Sequence, residues 1–177
     1  ELGSKVLGFT GSDNQGIIGL EVIYEEYLAG KKGTILTVTD ARGIEVEEAG
    51  ESRIEPVNGG DLHISMDMNI QSYATQLAYQ AMETKEAKSV SIIVMNAKTG
   101  EILAMVNTPE FNLNEPYVLT EDILKYASGT DASGNSISSG DDLSEQEKQN
   151  LLNSMWRNGC INDTYEPGST FKIITAA

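Results

Sequence analysis

Two short apolar runs, Ser89–Met95 and Glu101–Val106, are separated only by the polar string Asn96-Ala-Lys-Thr-Gly100. Neither run alternates with polar residues, so the pattern predicts two strands apolar on both faces, inside a sheet covered by helices. Gly100 supplies the positive φ that a tight turn between them wants. Upstream, Asp67 caps a helix whose Ile70, Tyr73, Ala74, Leu77, Ala78 and Met82 repeat at helical spacing. Helices packed on an antiparallel sheet, an α+β fold, is the architecture that accommodates both patterns.

Before this block the chain reads differently. A polar turn, Gly11-Ser-Asp-Asn-Gln-Gly16, leads into Ile17, Leu20, Ile23, Tyr24, Tyr27 and Leu28, one dry helical face that Gly30 ends. Residues 33–50 read as a hairpin turning at Ala41-Arg-Gly43, and the turn-rich stretch 51–60, with Pro56 and Gly59-Gly60, reads as a boundary. Asp61–Ser65 is expected as a short strand. Two domains follow, 1–60 and 61–177. Residues 128–142 are small and polar and read as a surface loop, and Ser144 with Glu147 forms a capping box for a helix carrying Leu151, Leu152, Met155 and Trp156. A last helix begins after Tyr165-Glu-Pro-Gly168 and has no stop signal before Ala177, as expected of a fragment.

Charge and cysteine content narrow the function. Twelve basic against 27 acidic residues give a net charge of −15, which repels a phosphate backbone and argues against nucleic acid as a partner. One Cys and one His (Cys160 and His63) exclude a disulfide framework and a Cys/His zinc cluster. No cofactor is called for. Asp131, Ser133, Asn135 and Asp142 fall at calcium-loop positions, but Ser136 stands where that loop needs Gly. Serine and lysine remain as candidate chemistry.

Ser169 and Lys172 form a Ser-x-x-Lys pair at the opening of the last helix. Residues three apart share a helix face, so the amine can reach the hydroxyl and act as its base once its pKa is lowered. A serine at a helix start also gains from backbone N–H groups that favour an oxyanion. With 15 Ser and 9 Lys in the chain, about one such pair arises by chance, and taken alone it reads as a helix cap followed by a surface lysine.

The surroundings separate these readings. Tyr165-Glu-Pro-Gly-Ser-Thr-Phe-Lys172 resembles the active-site signature of the class B penicillin-binding proteins. Gly8-Phe-Thr-Gly-Ser-Asp-Asn-Gln-Gly16 with Gly19-Leu-Glu21 resembles that family's non-catalytic, dimerisation-like pedestal. Leu62–Ile70, Ala97–Met105 and Pro109-Glu-Phe111 resemble the entry to its transpeptidase domain. The resemblance implies a pedestal over 1–60 and the beginning of a transpeptidase domain over 61–177. It implies a D,D-transpeptidase that cross-links peptidoglycan through an acyl-enzyme on Ser169, with Lys172 taking the serine proton. Peptidoglycan stem peptides ending in D-Ala-D-Ala are then the substrate, β-lactams are inhibitors, and division or sporulation proteins are partners. The implied location is the outer face of a bacterial membrane, through an anchor not seen here. Trp156-Arg-Asn158 resembles the division and sporulation branch. The alternatives are a β-lactamase or β-lactam sensor, and a non-catalytic wall scaffold.

Two strings mimic the family's remaining motifs, Ser12-Asp13-Asn14 and Lys98-Thr99-Gly100. Both precede Ser169, whereas the family's follow it. The first reads as an Asx turn and the second as a hairpin turn. The 177-residue chain alone is therefore expected to be catalytically incomplete.

Overall fold

A computed structural model of the chain describes residues 1–36, 52–126 and 143–176. It divides into two compact units, Gly8–Ile64 and a second that joins Glu1–Leu7 to Ser65–Ala177. The division falls four residues beyond the sequence boundary at 60, and the first seven residues pack with the later unit.

In the Gly8–Ile64 unit, Thr10 and Gly16 bridge across the polar turn, and Asn14 adopts a φ of 62° there. Asp13 Oδ1 accepts the Gln15 N–H, so Ser12-Asp13-Asn14 is a local turn. The helix expected over 17–28 is two short ones, α2 (Gly19–Ile23) and α3 (Glu25–Leu28), broken where Tyr24 leaves helical geometry at φ −108°, ψ 19°. Of the hairpin expected over 33–50, only the start of its first strand lies within the described residues. Strand β1 (Thr34–Leu36) pairs antiparallel with β2 (Ser52–Ile54), which lies in the stretch read as boundary. Residues 37–51, which include the expected turn at Ala41-Arg-Gly43, lie outside the described residues, as does the calcium-like loop.

The other unit opens with the short α1 (Ser4–Leu7). Asp61–Ser65 forms no strand; instead the Ser65 hydroxyl donates to the Ile102 carbonyl and the Asp67 N–H to that of Leu103. Helix α4 (Met68–Thr84) starts where its cap predicts, with Asp67 accepting the N–H groups of Asn69 and Ile70. Strands β3 (Ser91–Met95) and β4 (Ile102–Asn107) form an antiparallel pair in which Ile93 faces Met105. Ala74 and Ala78 of α4 meet Ala104 and Val106 of β4, with Ile92 and Val94 packed alongside. Alanine on both surfaces lets the helix approach the sheet closely, and the Gln71 amide makes use of that approach. Its Nε2 donates to the Met105 carbonyl at 3.0 Å and its Oε1 accepts the Met105 N–H at 2.9 Å, pairing strand backbone that β3 does not reach.

The expectation of a sheet covered by helices holds in part. Residues 159–162 also pack against β3 and β4, while Ile93 and Met95 are 48% and 56% exposed on the face away from α4. Lys98-Thr99-Gly100 makes the hairpin turn. Gly100 sits at φ +79° with its N–H on the Asn96 carbonyl, and Thr99 donates to Glu101 at 2.7 Å. Helix α5 (Glu121–Tyr126) follows, then α6 (Glu145–Trp156), α7 (Gly159–Asn162) and α8 (Lys172–Ala176).

Candidate active site

The approach to Ser169 is built from α6 onward. The box of Ser144 and Glu147 closes the helix start, and Leu152 and Met155 bury its inner face. Trp156 fixes the far end, donating Nε1–H to the Pro116 carbonyl at 2.8 Å and meeting Tyr117 edge to face at 5.5 Å. The chain then turns sharply. Asn158 caps α7 by accepting the Cys160 N–H at 3.0 Å, and Arg157 spans the turn by donating to Asp163 and to the Asn162 carbonyl.

Asn107, at the end of β4, ties this turn to the sheet. Its Oδ1 accepts the Gly159 N–H at 3.1 Å and the Lys5 ammonium at 3.0 Å, while its Nδ2 donates to Ser91 at 2.8 Å. Cys160 adds a thiol contact to the Val106 carbonyl at 3.3 Å. Burial pushes that thiol's pKa up, which favours the neutral form and gives the cysteine a packing role rather than that of a nucleophile. His63 lies exposed in an irregular segment.

Lys5 is only 8% exposed, and burial pulls its pKa from 10.5 to about 8, against the opposing influence of Glu110, Cys160 and Asp163. An unfolded chain holds this proton up to about pH 10.5 and the folded chain releases it near pH 8. The Lys5 contribution to stability is therefore lowest below pH 8 and rises between those values. Urea unfolding followed at Trp156 should show a gain of about 2 kcal/mol from pH 7 to 9.5 beyond that of Lys5→Met. Identical pH dependence in the two proteins contradicts this.

Past Asp163 the chain runs to Pro167 and Gly168, whose φ of +55° explains a glycine with nothing near its missing side chain. Gly168–Phe171 is a 3₁₀ turn that passes directly into α8, and the Lys172 N–H bonds to the Ser169 carbonyl across the junction. In a 3₁₀ turn residues three apart eclipse, which sets Ser169 and Lys172 on one side of the backbone. Both are exposed, as are Glu166, Phe171, Ile173 and Ile174. The decoy Lys98–Gly100 stays in its hairpin turn. Sequence reasoning gave no hint of Lys5 and Asn107, because the bond between them joins residues 102 positions apart.

Comparison with known proteins gives the family. Residues 2–64 match the penicillin-binding protein dimerisation domain, and residues 90–177 match the penicillin-binding protein transpeptidase domain. Stage V sporulation protein D of Bacillus subtilis is 33% identical over 98% of this chain and 22% of its own length. The probable peptidoglycan D,D-transpeptidase PenA of Neisseria gonorrhoeae is 38% identical over 64% of this chain and 20% of its own. A peptidoglycan synthetase structure from Bifidobacterium adolescentis shares the fold at a TM-score of 0.63 and 19% identity, covering 99% of this chain and 26% of that one. The chain belongs to the class B penicillin-binding proteins. It spans about a fifth of the length of these curated relatives.

Proposed function

We propose that this protein is a serine D,D-transpeptidase of peptidoglycan, with Ser169 as nucleophile and Lys172 as its base. The observation that carries the reading is the 3₁₀–α junction that spaces Ser169 and Lys172 three residues apart, inside the range that matches the transpeptidase domain. Ser169 Oγ attacks the carbonyl of the penultimate D-Ala and forms an ester, while its proton passes to Lys172. The terminal D-Ala leaves as an amine that takes up that proton. An amine of a neighbouring stem then attacks the ester, forms the cross-link and returns the proton to Ser169. β-Lactams enter at the same ester-forming step.

Activation requires a drier lysine than the exposed one described here, so the turn must be covered when the site is assembled. The apolar Phe171, Ile173 and Ile174 suit such a cover. The substrate places the site on the outer face of the bacterial membrane. Among the described residues no helix is long and apolar enough to span it.

Fluorescent penicillin tests the reading on two proteins, the 177-residue chain and the same chain followed by the rest of its gene's transpeptidase domain. The longer protein should label covalently and hold the label, and the shorter one should label weakly. Rapid turnover of the β-lactam would assign a β-lactamase instead, and no labelling of the longer protein would leave a scaffold.

A further inference from the structure

A cavity of about 220 Å³ opens beside Lys5, lined also by Lys88 and Ser89 ahead of β3 and by Ser154 and Arg157 at the end of α6. The chain carries more than two acidic residues for every basic one, yet three cations line this cavity against one carboxylate, Asp163. Lys5 is the unusual member. Its buried ammonium has three N–H donors, makes one hydrogen bond, to a neutral amide, and has no ion pair among the described residues. A buried charge without a close ion-pair partner is costly, and the cavity lies beside this one.

We propose that this cavity is a phosphate-binding site, held by the ammonium groups of Lys5 and Lys88 with hydroxyl donation from Ser89 and Ser154. Arg157 decides between phosphate and carboxylate. Recognition of a planar carboxylate relies on the guanidinium fork, and here that fork is engaged by Asp163 and the Asn162 carbonyl. Two lysine point charges and two rotatable hydroxyls remain, a set suited to the several oxygens and double charge of phosphate. Asp163 is balanced by Arg157. Glu110 also acts on Lys5, from outside the cavity lining, where its Oε1 accepts the Gly3 N–H at 2.9 Å. The site does not depend on the role of Ser169.

Isothermal titration of the 177-residue chain with inorganic phosphate, at constant ionic strength in sodium chloride, tests this directly. One site is expected, with a dissociation constant on the order of 1 mM or tighter. Lys88→Gln, an exposed change that leaves the fold intact, should weaken it at least about tenfold, as loss of a charge-assisted bond does. Lys5→Met should do the same. Glycerol 1-phosphate separates the sources: equal or tighter binding assigns a phosphate borne on a larger molecule, and binding of phosphate alone assigns the free ion. Absence of phosphate binding, equal binding of acetate, or an affinity unchanged in Lys88→Gln would overturn the proposal.

Discussion

Ser169→Ala is expected to abolish covalent penicillin labelling of the protein that contains the whole transpeptidase domain, a loss on the order of 10³-fold or more in acylation rate. The size follows from the chemistry. The acyl group must sit on an oxygen, and alanine has none to offer. The change is also small in structural terms, since Ser169 is exposed and its place in the turn is fixed by a backbone bond to Lys172. Unfolding stability should therefore stay within about 0.5 kcal/mol of the parent. Loss of labelling together with loss of fold would not support a nucleophile, so the two are measured on the same sample.

The second large effect is structural. Phe111 is 1% exposed and its backbone N–H donates to the Ser4 hydroxyl at 3.3 Å, so its ring is buried where the N-terminal segment meets the loop after β4. Phe111→Ala removes that ring and leaves a cavity that close-packed neighbours only partly fill, at a cost of about 3–5 kcal/mol. Urea unfolding followed at Trp156, which lies in the same compact unit, reads this out. Tyr165→Ala is the matching control, because that side chain is 79% exposed and should change stability by about 0.5 kcal/mol or less. A loss below about 1 kcal/mol for Phe111→Ala contradicts the packing described here.

What could be read in advance was what lies close in sequence. Asp67 and the Ser144–Glu147 box act on N–H groups two or three residues away, and the helices they start are where the pattern puts them. The Lys98–Gly100 turn was legible for the same reason. The partner of β1 was not, since β2 falls in a stretch whose Pro56 and Gly59-Gly60 read as a boundary. Continuous apolar character in β3 also misled, because Ile93 and Met95 look like core residues in sequence but stand open on the face away from α4. At the site, the serine and lysine were visible as a spacing, and the family resemblance rather than the spacing gave them meaning. The polar cluster around Asn107 was invisible. Asn107 reaches Gly159 across 52 positions and Lys5 across 102, and no local pattern encodes such bonds.

The most direct measurement uses the protein with its complete transpeptidase domain, treated with penicillin, digested with trypsin and weighed peptide by peptide. Cleavage after Arg157 and Lys172 releases residues 158–172, in which Ser169 is the sole serine beside Cys160, Thr164 and Thr170. The predicted result is this peptide heavier by one intact penicillin molecule, with fragmentation placing the added mass on Ser169. An unmodified peptide, or an adduct on Cys160 or Thr170, contradicts the assignment of Ser169 as the nucleophile.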